Sequence, residues 1–332
     1  MRSDKKDERK PFLLKPSGKD YLWGGSRLND DYVKNIDMSP LAETWECSTH
    51  PAGPSFVASG EFEGQTLSEV LQAHPDFLGT HPDSNGDLPV LIKFIDADKD
   101  LSVQVHPDDE YAFHHENGQL GKTEMWYVLD ATEDARLIYG FSRDIDKETV
   151  RKSIKEGTLT KHLNKVPIKK NEVFFIEPGT VHAIGAGTLV AEIQENSNIT
   201  YRLYDYDRTD KNGNKRELHV EKALEVANLN SNTTPRQPIR KLQYRPGIAT
   251  ELIASCRYFE VNRVIVNTER KQDVVMKADQ LSFRTLLCIN GCGTLSFCDD
   301  YINLYKGDCI FIPADSVDIH LHGKMELLDI RG

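Results

Sequence analysis

Long apolar runs are missing from this 332-residue chain: no stretch approaches the roughly 20 consecutive apolar residues of a membrane-spanning helix. Residues 1–10 are charged and lack the apolar centre of a signal peptide, so a cytoplasmic protein without membrane partners is expected. Basic charge is in deficit, with 41 Lys and Arg against 52 Asp and Glu and a formal net charge of −11. No Lys/Arg-rich block compensates locally, which argues against nucleic-acid partners and requires any anionic substrate to find basic residues gathered at its pocket. The six cysteines, Cys47, Cys256, Cys288, Cys292, Cys298 and Cys309, show neither C-x-x-C spacing nor a small secreted framework. Free, partly buried thiols are expected, and a cysteine-ligated zinc site is not.

What is present is a succession of short strand patterns separated by turn chemistry, which points to barrels or sandwiches rather than a doubly wound sheet. Helical signals are few. Thr66-Leu67-Ser68-Glu69 has capping-box spacing and Pro75 closes that segment, and further helices are expected over 108–116, 146–155 and 220–228. Residues 230–238, rich in Asn, Ser, Thr and Pro, have linker composition, dividing the chain into a first domain over 1–232 and a second over 239–332. The two halves echo one another: Lys170-Asn171-Glu172-Val173-Phe174-Phe175-Ile176 resembles Lys306-Gly307-Asp308-Cys309-Ile310-Phe311-Ile312, and each then enters a proline turn. That register sets Asp318 against His182, and nothing in the second half matches Gln104-Val105-His106, so the second barrel is read as one without metal. Asn290-Gly291 and Cys292-Gly293 read as its turns, with strands over 293–297 and 301–305.

Three segments of the first half carry the residue types of a metal site. In Leu101-Ser102-Val103-Gln104-Val105-His106, strand alternation sends Ser102, Gln104 and His106 to one face, and Pro107 ends the strand. By itself this is equally a half-solvated strand. In the strand expected from Lys122 to Leu129, Lys122, Glu124 and Trp126 share a face, and a carboxylate in so apolar a run requires a cation, either a metal or Lys122. The segment 172–184 reads as strand, Pro-Gly turn and return strand bearing His182. Two imidazoles, a carboxylate and an amide oxygen suit a borderline metal such as Zn²⁺, one per chain, better than calcium or magnesium.

Tyr21-Leu22-Trp23-Gly24-Gly25, Glu43-Thr44-Trp45-Glu46 with His50-Pro51, Gln104-Val105-His106-Pro107-Asp108-Asp109, Gly121-Lys122-Thr123-Glu124, Pro178-Gly179-Thr180-Val181-His182-Ala183 and the segment 196–208 together resemble the blocks of type I mannose-6-phosphate isomerases in their shorter bacterial form. The resemblance implies a mainly β, double-cupin fold of two barrel or jelly-roll domains with a few short helices. It also implies zinc held in the first barrel by Gln104, His106, Glu124 and His182, and interconversion of mannose 6-phosphate and fructose 6-phosphate. Gly121-Lys122-Thr123-Glu124 departs from the Lys-Pro-Glu of the longer enzymes, which bears on the pocket near Lys122.

Aldose–ketose isomerisation passes a proton between adjacent carbons through an enediol, so the site needs a base and a means of stabilising oxyanion charge. Glu192, on the otherwise apolar strand Val190-Ala191-Glu192-Ile193-Gln194, and Lys122, on the face of Glu124, are the candidate bases; ion pairs of Glu192 with Arg202 and of Lys122 with Glu124 are the bland alternatives. Arg202 matches an active-site arginine of the family and suits either an enediolate or a phosphate. Lys93 resembles a pocket lysine of the family, against a snorkelling edge lysine, and Ser102 completes a phosphate or hydroxyl contact. Trp45 and His50 line the pocket by family position only. Asp205-Tyr206-Asp207 with Asp210 only faintly resembles a calcium loop, residues 211–214 read as a hairpin turn, and His114-His115 as a solvated helix end. The rival readings are an iron cupin oxygenase and a non-catalytic sugar-binding double cupin. A monomer or weak homo-oligomer is expected, whose second barrel packs against the first and covers its exposed edge.

Overall fold

The computed structural model describes residues 9–80, 87–210, 212–231, 235 and 237–332. Residues 1–8 of the segment read for targeting, Lys211 of the expected hairpin, and 232–234 and 236 of the expected linker lie outside that range. The strands are, in the first half, β1 (Phe12–Lys15), β2 (Ser17–Lys19), β3 (Glu43–Cys47), β4 (Phe56–Val57), β5 (Val90–Ala97), β6 (Val103–Val105), β7 (Glu124–Ala131), β8 (Arg136–Phe141), β9 (Leu163–Pro167), β10 (Val173–Ile176), β11 (His182–Ile184), β12 (Thr188–Glu195) and β13 (Tyr201–Tyr204). The second half supplies β14 (Gln243–Arg245), β15 (Ile248–Ser255), β16 (Glu260–Asn267), β17 (Val274–Met276), β18 (Arg284–Phe297), β19 (Asp300–Tyr305), β20 (Cys309–Ile312) and β21 (Ile319–Arg331).

The α-helices are short: α1 (Arg27–Asp30), α2 (Leu67–Ala73), α3 (Asp109–His115), α4 (Lys147–Lys155) and α5 (Val220–Val226). Thr66 and Glu69 form the expected capping box at the start of α2. Asp108 and Asp146, read as first helical residues, are instead N-caps whose carboxylates accept from the amides of Tyr111 and Thr149, satisfying donors the helix leaves unpaired. No helix among the described residues is long and apolar enough to cross a membrane.

Two antiparallel sheets form the first barrel, one of six strands in the order β10-β7-β12-β5-β3-β2 and one of five in the order β13-β6-β11-β8-β9. Their facing side chains, among them Ile95, Val128 and Val190 from the first sheet and Leu137, Val166 and Ile184 from the second, share one buried cluster. The opposite face of the six-stranded sheet is also buried: Ile92, Phe94, Met125, Tyr127, Ala191 and Ile193 pack with Ile253, Phe259, Leu287, Phe311 and Leu328 of the second half. Burial on both faces explains why these strands read as continuous apolar runs instead of alternating. It also corrects one expectation, since the second barrel covers a face of the first rather than its edge. The N-terminal strands β1 and β4 extend the second half's sheet, β1 pairing with β20.

The internal echo extends to topology. The path β20-β18-β21-β16-β15-β14 repeats the path β10-β7-β12-β5-β3-β2 strand for strand, giving a double cupin of mainly β structure. The expected turns at 290–293 are not turns. They lie inside the 14-residue β18, where the register slips between Cys288 and Asn290 and Gly291 takes φ +76°, so glycine serves an irregularity within a long strand. Asp318, opposite His182 in the echo, is exposed.

Candidate metal centre

Strand register assembles the site from two facing rows. On the inner face of the six-stranded sheet, Trp45, Lys93, Glu192 and Trp126 stand side by side across β3, β5, β12 and β7. On the five-stranded sheet, Arg202, Gln104, His182 and Tyr139 do the same across β13, β6, β11 and β8. Directly opposed residues of antiparallel strands share a face, so all these side chains point into the barrel.

Between the rows, at one end of the barrel, His106, Glu124 and His182 bring their ligand atoms within 4.8 Å of one another, all three buried. His182 Nε2 lies 3.1 Å and His106 Nε2 3.6 Å from Glu124 Oε1. The opposite nitrogen of His182, Nδ1, is 2.8 Å from the Thr180 carbonyl, to which it can only donate, and this turns the lone pair of Nε2 toward Glu124. The ring of Trp126 meets His182 edge-on at 5.4 Å and fixes its plane. Burial and the nearby Lys122 ammonium pull the His106 imidazole down to about 3. Burial alone would raise the Glu124 carboxyl, but Lys122 and His106 outweigh it and hold it well below the usual carboxylate range.

Lys122 Nζ sits 2.9 Å from Glu124 Oε2 and 3.3 Å from His106 Nε2. Yet Glu124 Oε1 and His182 Nε2, 3.1 Å apart, are buried without a hydrogen-bond partner. Unsatisfied buried acceptors that converge on one point are costly unless a cation lies between them. The donor set of two imidazoles and one carboxylate fits a divalent metal. Gln104, half-buried and opposed to His182, stands beside this group.

Lys93 is not an edge lysine. It is buried on the central β5, its Nζ 2.9 Å from Glu192 Oε1 and 5.1 Å from the centre of the Trp45 ring. Burial lowers its pKa, but Glu192 and Glu43 more than reverse this and raise it. Glu192 pairs with Lys93, not with Arg202, and its second oxygen accepts from Trp126 Nε1 at 2.9 Å. Both of its oxygens are thus engaged, one by Lys93 and one by Trp126. Arg202 donates to the Glu217 carbonyl at 2.8 Å and from Nε to Ser102 Oγ at 3.3 Å, and forms no ion pair among the described residues. Asp205 is taken up by Arg208 and Arg216, so the acidic run 205–210 is not a calcium loop. His50 lies edge-on to the buried Trp45 at 5.5 Å.

Lys122 lies just before β7 rather than within it, on a loop fastened at each amide: Gly121 N donates to Asp109 Oδ1 (2.8 Å), Lys122 N to the Pro107 carbonyl (3.0 Å) and Thr123 N to Glu195 Oε1 (2.7 Å). A Cβ on Gly121 would come within 2.4 Å of the Asp108 backbone, so only glycine permits this approach. Asp109 in turn accepts from the hydroxyl of Tyr258, which belongs to the second barrel, at 2.7 Å. Sequence reading missed Trp126, Thr180, Glu195 and Tyr258 as parts of the site. Trp126 was legible from its shared face with Glu124; the Thr180 contact is a backbone carbonyl, and Tyr258 arrives from another barrel.

Residues 12–133 match the family described as phosphomannose isomerase type I, catalytic domain, and residues 249–331 the mannose-6-phosphate isomerase cupin domain. The chain is 39% identical to the mannose-6-phosphate isomerase ManA of Bacillus subtilis over 96% of its length and 98% of that protein. It is 34% identical to a mannose-6-phosphate isomerase of Streptococcus mutans over 96% of its length and 97% of that protein. Its fold superposes on the crystal structure of a Bacillus subtilis mannose 6-phosphate isomerase with a TM-score of 0.88 at 36% identity, covering 96% of this chain and 99% of the other.

Proposed function

The chain belongs to the type I phosphomannose isomerase family, and on that footing we propose that it is a zinc-dependent aldose–ketose isomerase interconverting mannose 6-phosphate and fructose 6-phosphate through an enediol. The observation that carries this reading is the convergence of buried His106, Glu124 and His182, with Glu124 Oε1 and His182 Nε2 unpartnered, beside an arginine that forms no ion pair among the described residues. His106, Glu124 and His182, with the amide oxygen of Gln104, hold the metal. Zn²⁺ there supplies Lewis-acid polarisation of the sugar carbonyl and neighbouring hydroxyl without changing oxidation state.

The chain's own residues divide the remaining work. Arg202, permanently charged and half-buried, steadies the enediolate oxygen as charge develops, and Ser102 keeps its guanidinium in place while contacting a substrate hydroxyl. Lys122, in its free-amine form, takes the proton from C2 and returns it to C1, its Nζ lying 2.9 Å from Glu124 Oε2 and 3.3 Å from His106 Nε2. Glu192 holds Lys93 for contact with the substrate phosphate. Residues 1–232 form the catalytic unit and 239–332 the cupin without metal, in a cytoplasmic monomer or weak homo-oligomer.

The test is to strip the full chain with chelator, restore Zn²⁺ under anaerobic conditions and follow mannose 6-phosphate conversion. Turnover returns without oxygen, Glu124→Ala loses both metal retention and turnover, and Arg202→Ala keeps the metal while turnover falls. Loss of zinc from Arg202→Ala, or no conversion by the restored protein, overturns the assignment.

A further inference from the structure

The repeated strand path allows positions in the two barrels to be equated through their register. Glu124 opposes Ile176, the last residue of β10, and Arg284 opposes Ile312, the last residue of β20. Two residues on, Glu192 opposes Trp126 and Asp329 opposes Leu286. On the next strand Lys93 opposes Glu192 and Asn262 opposes Asp329. The second barrel therefore has its own counterpart of the metal-bearing end, and a cavity of about 410 Å³ opens there, lined by Arg284, Asp329 and Asn262. Where the first barrel presents a carboxylate, the second presents a guanidinium.

Arg284 is neutralised and fixed by Asp329, with paired contacts of 2.9 and 2.6 Å, and donates to the Lys277 carbonyl at 2.8 Å. The other charges of the cavity do not cancel. Arg245, Lys277 and Arg331 line it and form no ion pair among the described residues, and the buried Nε of Arg331 has no hydrogen-bond partner. The carboxylate left to oppose them is Glu260, which accepts from Asn262 Nδ2 at 2.9 Å. A local excess of cations in a chain of net charge −11 runs against composition, and an unpaired buried guanidinium nitrogen carries a desolvation cost that an anion removes.

We propose that the mouth of the second barrel binds a phosphate dianion, either free or as the monoester of a small metabolite, between Arg331, Arg245 and Lys277. Guanidinium forks match phosphate oxygens in pairs, a dianion balances the cation excess, and the volume accommodates a small ester. This site is separate from the proposed catalytic one and stands whether or not that reading holds.

Equilibrium dialysis of the zinc-loaded full chain with radiolabelled inorganic phosphate, and in parallel with glycerol 2-phosphate, tests it. The expected result is a saturable site retained in Arg202→Ala and weakened roughly tenfold or more in Arg331→Gln, with Arg331→Lys recovering part of the affinity. Arg331→Gln keeps its isomerase KM and kcat, which also establishes that it folds. Tighter binding of the ester identifies a metabolite ligand, and tighter binding of the free ion identifies phosphate itself. Binding untouched by Arg331→Gln, or abolished by Arg202→Ala alone, overturns the proposal.

Discussion

Replacing Lys122 by methionine removes the ammonium that neighbours the buried Glu124 carboxylate of the proposed metal site. In the metal-free chain Lys122 Nζ, 2.9 Å from Glu124 Oε2, is the countercharge of that group, and both side chains are buried. Deleting one partner of a buried pair leaves an uncompensated charge and costs about 3–5 kcal/mol. With Zn²⁺ bound, Glu124 keeps a cation, and the like-charge repulsion between ion and ammonium disappears, so the same substitution costs far less. Denaturant midpoints of wild type and Lys122→Met, each measured in excess chelator and in excess Zn²⁺, report this as a difference of differences. The expected outcome is a large loss without metal and a loss of about 1 kcal/mol or less with it, so that zinc stabilises the variant more than the wild type. Equal losses in the two conditions would mean that the ion does not face Glu124, and the proposed ligand set would fall.

Glu195 supplies a pH test: burial, reinforced by the neighbouring Asp109 carboxylate, raises its carboxyl to about 8 from an ordinary 4.5. A carboxyl raised on folding contributes stability that is complete below its unfolded value and is lost as pH climbs through the folded one. Between about pH 4.5 and 8 the wild type therefore loses a few kcal/mol relative to Glu195→Gln, which still accepts from Thr123 N; parallel pH profiles of the two would refute this. In the core shared by the two barrels, fully buried Phe311 stacks on Phe12 and Phe283 with ring centres 5.3 Å away in each case. Phe311→Ala should cost about 3–5 kcal/mol in chemical denaturation, and a loss below 1 kcal/mol would show that the barrels do not depend on this contact.

The positions that sequence placed well are those governed by local rules. Alternation put Gln104 with His106 and Lys122 with Glu124 on shared faces, and capping chemistry located α2, because both depend on residues only a few positions apart. Asn290-Gly291 misled because the same dipeptide serves a hairpin turn or a bulge, and only the pairing of β18 with β21 distinguishes them. Glu192 misled for a similar reason: its partner is set by the register of β12 against β5, 99 residues away, and not by anything near it in the chain.

By itself, then, the sequence determined the β-rich class, the repeated strand motif of the two halves, and which residues carry ligand and charge chemistry. Tertiary structure decided which of them meet. Facing sheets bring His106 and His182 onto Glu124, register commits Glu192 to Lys93 and leaves Arg202 without an ion pair among the described residues, and the second barrel reaches through Tyr258 to the loop that bears Lys122. The physical reason is that a side chain's direction follows from local backbone geometry, whereas its charge partner is chosen by sheet packing between segments far apart in the chain.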